Sequence, residues 1–269
     1  MAPSSASPSG ARGPIERSEI ALHQVSLALD RASRWRSKKR FAFSLPLLLA
    51  ACEATPATPK PVPNQFPAAA RPVAAIVSSQ WSDEVSRDKA GEGTEVMDRA
   101  GVTPGMTVAD IGAGEGYYTI RLAARVGAKG RVVAQDIMPE VRDRLADRVT
   151  REALDNVYVK LGTPDEPGLP ANSFDRIFLV HMYHEISSPY AFLWNLRPAT
   201  KAGGRVIVVD ADRPTNQHGT PPKLLECEFA AVGYAMVGYH FMPRAAAYVA
   251  AFEPRGPRPE PAAIKPCKA

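Results

Sequence analysis

Residues 109–118 read Ala-Asp-Ile-Gly-Ala-Gly-Glu-Gly-Tyr-Tyr, an acid followed by glycines at 112, 114 and 116. Glycine adopts positive φ without penalty and lets a ligand lie directly against the main chain; three in five residues exceed what an ordinary turn needs. The preceding Thr107-Val108-Ala109-Asp110-Ile111 is a short apolar run suited to a buried parallel strand, and Ile120, Leu122, Ala123 and Val126 beyond it fall at near-helical spacing. The glycines therefore join a strand end to a helix start. Free N–H groups and the positive end of the helix dipole favour a polar or anionic ligand there. A glycine triplet by itself also fits a tight turn, so its surroundings decide.

The next strand provides them. Arg131-Val132-Val133-Ala134-Gln135-Asp136 is a β-branched run closing on an acid twenty residues after Gly116, where a Rossmann-like unit places the carboxylate that accepts ribose hydroxyls. The glycine spacing is GxGxG, whereas the dinucleotide fingerprint GxGxxG wants a small residue where Tyr117 stands. Close helix packing over a pyrophosphate is then unsupported, which argues against NAD or FAD. A nucleoside carrying a carboxylate and an amine fits better.

On these residues the chain resembles class I S-adenosylmethionine-dependent methyltransferases, from about Trp81 to Phe252. Phe174 to Val180 is similar to the family's fourth strand, and Leu196-Arg197-Pro198 with Lys201 to Asp210 is similar to its L(x)PGG turn and fifth strand. Gly101 to Asp110 is similar to a segment that opens small bacterial members; arsenic, quinone and protein-repair enzymes share parts of it, so the acceptor does not follow. The resemblance implies an α/β fold, a Rossmann-like doubly wound, mostly parallel sheet with a C-terminal antiparallel strand pair. It implies S-adenosylmethionine as cofactor, with Asp110 and the backbone of Gly112, Ala113, Gly114 and Gly116 at its methionine end, Asp136 at the ribose and Ile137 on one adenine face. After the third strand the family often carries Gly-Asp; here Thr163 follows Gly162, and Asp165 would have to substitute from a shifted loop.

Periodicity predicts strands near 107–111, 131–136, 157–161, 174–180 and 204–210, and helices near 88–99, 117–126, 139–153, 189–197 and 221–232. Such alternation implies a parallel sheet with ligands at the carboxyl ends of its strands. Residues 234–241 and 245–252 read as the final antiparallel pair, although the Ala-rich second segment equally suits a helix.

The fourth strand ends in His181-Met182-Tyr183-His184-Glu185, where a methyl donor would face its acceptor. Methyl transfer is an in-line displacement that depends on positioning, with a base needed only when the nucleophile arrives protonated. His184 or His181 could be that base, and Tyr183 could wall the pocket or steady a cationic donor; each histidine could equally cap a helix or satisfy buried backbone. HxxHE matches neither HExxH nor HxxEH and shows no clear third ligand, so no metal site is expected. His218 lies in a polar loop that could border the acceptor. The function expected is methyl transfer to a small molecule or a protein side chain; the alternatives are a membrane-tethered cofactor-binding protein without catalysis and a protein-repair carboxyl methyltransferase.

The net charge of +5 belongs to the N-terminal fifth: residues 1–51 carry eight Lys/Arg against three Asp/Glu, and residues 52–269 carry 25 of each sign. A nucleic-acid partner for the folded part therefore lacks electrostatic support. Arg31, Arg34, Arg36, Lys38, Lys39 and Arg40 precede an apolar run from Phe41 to Ala51 that is too short to span a membrane, and Leu49-Ala50-Ala51-Cys52 resembles a bacterial lipobox. Prolines at 56, 59, 61, 63, 67 and 72 follow, as in a tether. The chain thus divides into a leader and lipoprotein-like signal segment (1–51), a Pro-rich linker (52–75), a methyltransferase-like domain (76–253) and an irregular tail (254–269). The expected location is a membrane anchored through lipidated Cys52, facing the periplasm, with the cytoplasm as the alternative. In an oxidising compartment Cys227 and Cys267 remain for a disulfide. Cys52→Ser is expected to leave the chain unprocessed or to release it from the membrane; mass spectrometry of the mature N-terminus checks this, and an intact, unmodified peptide spanning Ala51 and Cys52 in most membrane-associated wild-type chains would contradict it.

Overall fold

The computed structural model describes residues 65–76 and 83–268. Residues 1–51, over which a signal segment is expected, Cys52 and most of the Pro-rich stretch lie outside the described residues. Helices α1 (Glu84–Ala90) and α2 (Glu92–Arg99) lead into an alternation of β1 (Thr107–Ile111), α3 (Tyr117–Val126), β2 (Arg131–Asp136), α4 (Pro139–Arg151), β3 (Val157–Leu161) and β4 (Phe174–Val180). The chain continues through α5 (Pro189–Leu196), β5 (Thr200–Asp210), α6 (Pro222–Ala231), β6 (Tyr234–Met242) and β7 (Ala247–Pro254).

The seven strands form one sheet in the order β3-β2-β1-β4-β5-β7-β6. β1 to β5 pair in parallel, and β7 runs antiparallel to both β5 and β6. Both faces are covered, and the period-2 geometry of the strands shows how. Ile177, Leu179, Val206 and Val208 pack into one core with Phe192, Leu193, Leu225 and Phe229 of α5 and α6. Their neighbours Phe178, Ile207 and Val209 point the other way, into a second core with Val96, Leu122 and Val126 of α2 and α3. Continuous apolar runs are what a strand buried on both faces requires.

The predicted strands and helices are present, with one instructive difference and one ambiguity resolved. The single helix expected over 88–99 is two helices, because Gly91 sits at φ 76 and its N–H bonds back to the Arg87 and Asp88 carbonyls, ending α1 in a left-handed cap. The ambiguous 245–252 segment is a strand: Tyr248, Ala250 and Phe252 enter one core while Ala247 and Val249 enter the other, an alternation no helix could make.

The end of the Pro-rich stretch is fastened to the domain. Arg71, fully buried at its side chain, pairs with buried Glu228 of α6 at 2.9 Å. Its guanidinium also donates to the carbonyls of Tyr183, His184 and Ile186 at 3.3–3.5 Å. The Ala74 N–H donates to the His184 carbonyl, and Thr215 Oγ1 donates to the Pro72 carbonyl. Residues 70–76 thus tie down the loop after β4. At the other end of the chain, Cys267 is disulfide-bonded to Cys227 of α6 across a sequence separation of 40, a loop closure contributing about 4 kcal/mol in the chain-entropy treatment. Arg71→Ala strands a buried carboxylate and three carbonyls. It is expected to lower stability by about 3–5 kcal/mol, read as the denaturant midpoint, and adding Glu228→Ala should recover part of the loss.

Candidate functional site

A cavity of about 600 Å³ opens at the carboxyl ends of the parallel strands, and the glycine loop forms part of its wall. Gly112, Gly114 and Gly116 have φ of 67, 56 and 91, the left-handed region that side chains resist. A Cβ at Gly112 would come within 2.9 Å of the Met182 side chain, and one at Gly116 within 2.5 Å of Leu145 Cδ1. Both conformation and close packing therefore demand glycine. Asp136, at the end of β2, accepts from the Gly114 N–H at 3.0 Å and the Met138 N–H at 2.9 Å, bracing the loop from the neighbouring strand.

Asp110, Ala113 and Ile137 also line the cavity. The Asp110 carboxylate accepts from Thr119 Oγ1 at 2.7 Å. Burial nevertheless pushes it up to about 6; the Thr119 bond and the Arg87 charge only partly offset this, and the Asp136 charge adds to it. Ionising a carboxyl raised from 3.8 to about 6 costs about 3 kcal/mol, which a cationic ligand group would relieve. Gln135 contributes a second unmet need, since its Oε1 is buried, lines the cavity and has no hydrogen-bond partner among the described residues. Its amide lies over Gly162, where any Cβ would overlap it. A cationic amine at Asp110 and an exocyclic base amine at Gln135 would satisfy both groups, so the cavity fits an amino-acid-bearing nucleoside. Asp165 does not reach the cavity; Thr163 and Pro164 do. The loop after β3 is not shifted in the way that role requires, and Gln135 is the cavity-lining acceptor that the sequence did not single out.

The N-terminal helices close one side. Glu92 is buried, accepting from Arg87 at 2.6 and 3.2 Å, from Tyr118 Oη at 3.1 Å, and lying 3.3 Å from His181 Nε2. Burial pushes its carboxyl up, but the bonds and charges of His181 and Arg87 outweigh burial and hold it at about 2. The Arg87 guanidinium sits 3.8 Å above the Tyr117 ring. Neither Arg87 nor Glu92 belongs to a recognisable motif; only their folding back onto α3 exposes their role.

The residues after β4 separate into three fates. His181 lines the cavity with its backbone at φ 51 and 35% of its side chain exposed. His184 also lines it, and its Nδ1 lies 3.0 and 3.1 Å from the two Asp210 oxygens. Asp210 is itself held by the Ala211 N–H and by Thr220 Oγ1. Tyr183 does not wall the pocket: it is fully buried, with its hydroxyl donating to Glu228 at 2.7 Å and Arg71 over its ring. The three-residue 3-10 turn Tyr183–Glu185 sends adjacent side chains in different directions, so Tyr183 enters the core while His184 faces the cavity. From the loop after β5, His218 reaches the same cavity, its ring edge-on to His184 with centroids 5.4 Å apart.

Comparison with known proteins agrees with this architecture. Residues 108–204 match the family described as a methyltransferase domain. A ubiquinone/menaquinone biosynthesis C-methyltransferase of Idiomarina loihiensis is 32% identical over 124 residues, 45% of this chain and 48% of that protein. A demethylmenaquinone methyltransferase of Tropheryma whipplei is 36% identical over 114 residues, 42% of this chain and 45% of that protein. The chain spans about half the length of the curated relatives it matches. Among solved structures, a SAM-dependent methyltransferase from Aquifex aeolicus superposes with a TM-score of 0.58 at 25% identity, covering 62% of this chain and 92% of that one. Residues 108–204 thus match a methyltransferase domain, set in the fold of a solved SAM-dependent methyltransferase.

If Asp110 meets the cofactor's ammonium in its ionised form, protonation competes with binding. Affinity should be flat above the Asp110 pKa of about 6 and fall by up to about tenfold per unit below it. Calorimetric titration of S-adenosylmethionine between pH 5 and pH 8 checks this, and Asp110→Asn should bind more weakly at neutral pH with the dependence removed.

Proposed function

We propose that this chain transfers the methyl group of S-adenosylmethionine to a small, largely apolar molecule whose acceptor atom carries an acidic proton, such as a hydroxylated aromatic ring. The observation carrying the proposal is that one cavity holds both the glycine loop with Asp110 and Asp136 and, among Met182, Ile186 and Phe192, a carboxylate-backed histidine. The quinone-ring substrates in the names of the Idiomarina and Tropheryma relatives suit such a cavity.

When bound, S-adenosylmethionine supplies a methyl group on a sulfonium, open to in-line attack. Asp110, the bare backbone of the glycine loop, Asp136 and Gln135 hold the two ends of the cofactor, and this positioning carries most of the rate. An acceptor that arrives protonated must lose its proton. His181 takes it at Nδ1, with Nε2–H turned to Glu92, whose charge stabilises the imidazolium. His181 suits this task better than His184 because 35% of its side chain reaches solvent, against 3%. Burial of the acceptor among apolar side chains strengthens each of these electrostatic contacts.

We further propose that the protein works anchored to a membrane and facing an oxidising compartment. The lipobox-like Leu49-Ala50-Ala51-Cys52 supports this, as does the Cys227–Cys267 disulfide.

Incubating the full chain with methyl-labelled S-adenosylmethionine and a panel of hydroquinones and phenols tests the reaction. Label should appear in an aromatic acceptor; cofactor binding without transfer to any of them would contradict the assigned acceptor class. His181→Ala should leave cofactor affinity within about twofold while lowering kcat by about 100-fold. Equal turnover would make His181 structural.

A further inference from the structure

The methyl-transfer reading leaves His184, Glu185 and His218 unused. We propose that these three side chains form a binding site for a divalent first-row transition-metal cation on the wall of the cofactor cavity. One ligand atom from each lies within 4.8 Å of the other two. Around a tetrahedral ion with ligands at about 2.1 Å, donors stand roughly 3.4 Å apart. The trio must close by up to about 1.4 Å, within the reach of rotations of a carboxylate and a ring.

Three features raise this cluster above a coincidence of neighbours. The first is the carboxylate behind His184. Asp210 takes Nδ1 at 3.0 Å and is itself pinned by Ala211 N–H at 2.8 Å and Thr220 Oγ1 at 2.7 Å. This fixes the ring and leaves Nε2 as the ligating atom, the arrangement in which a metal-bound imidazole is characteristically held. The second is convergence from separate elements. His184 and Glu185 come from the 3-10 turn after β4, and His218 follows the 3-10 turn Thr215–Gln217 after β5. Both turns are fastened to residues 72–74, the first through the His184 carbonyl and the second through Thr215 Oγ1. The third is position: all three residues line the cavity, so a fourth coordination site opens into it.

Two imidazoles and one carboxylate select for zinc, cobalt(II) or iron(II) over calcium and magnesium, which favour oxygen-only sets. A cation with an open position beside the methyl donor would bind an acceptor oxygen and lower its pKa. That role rests on the methyl-transfer reading; the ligation itself does not.

Untagged full-length protein, stripped with chelator and dialysed, is titrated with zinc by calorimetry and with cobalt(II) by visible absorption. One equivalent should bind, and cobalt(II) should develop the intense bands of a low-coordinate site. His218→Ala and Glu185→Gln, both at partly exposed positions, should each weaken zinc at least tenfold and reduce the cobalt bands. His240→Ala, which removes a histidine paired with Glu95 elsewhere, should change neither. Far-UV circular dichroism confirms that each variant is folded. Absence of a stoichiometric site, or equal affinity in wild type and His218→Ala, overturns the proposal. S-adenosylmethionine titrated into the same samples separates the two readings: cofactor binding without zinc binding refutes the metal site alone, and zinc binding without cofactor binding refutes the methyl-transfer reading alone.

Discussion

The parallel pairing of β1 with both β2 and β4 is the constraint on which the rest of the molecule depends. The chain moves outward from β1 to β2 and β3, then returns to lay β4 on the opposite edge of β1. Successive connections leave the sheet in opposite directions at that point, which opens a crevice above the carboxyl ends of the strands. The glycine loop after β1, the acid at the end of β2 and the histidines after β4 share one cavity because of it. Had β4 paired outside β3, two strands would stand between the glycine loop and the histidines.

The cavity is electrically unsatisfied by itself. Asp110 is buried to the point where its ionised form is costly, and Gln135 holds an acceptor without a donor among the described residues. Around it, charges are instead carefully matched. Glu92 takes bonds from Arg87 and Tyr118 and lies beside His181, while Asp88 pairs with Arg121 and Glu84 with Arg148, joining the N-terminal helices to α3 and α4. The exposed pairs among these contribute little each. The buried one at Glu92 matters more, because it puts a permanent negative charge next to a cavity histidine.

A second stabilising device works from outside the sheet. Residues 70–76 cross beside the turns after β4 and β5, with Arg71 bonded to three carbonyls of the loop that carries His184. Loops that bear functional side chains are ordinarily the least stable parts of a fold. Here a segment distant in sequence restrains them, and the C-terminal disulfide fixes α6, which supplies the Glu228 partner of Arg71.

The strand–glycine loop–helix unit, the acid at 136 and the buried strands were legible in sequence, because each is encoded locally: short continuous apolar runs, a GxGxG turn, an acid at the end of the next strand. Even the split at Gly91 carries a local signal, the glycine itself. What sequence could not show depends on contacts between distant residues. His184 and Tyr183 are adjacent and chemically equivalent as candidates, yet one faces the cavity and the other is buried against Arg71, 112 positions earlier. His218 was legible only as a residue of a polar loop that could border the acceptor, and its place as third member of a cluster with His184 and Glu185 emerged only when β5 paired with β4. Glu92, Arg87 and Gln135 follow the same rule. Their types are ordinary, and their roles arise from what surrounds them, since burial, the nearest charge and the available hydrogen-bond partners decide what a polar group does and all are properties of the folded chain.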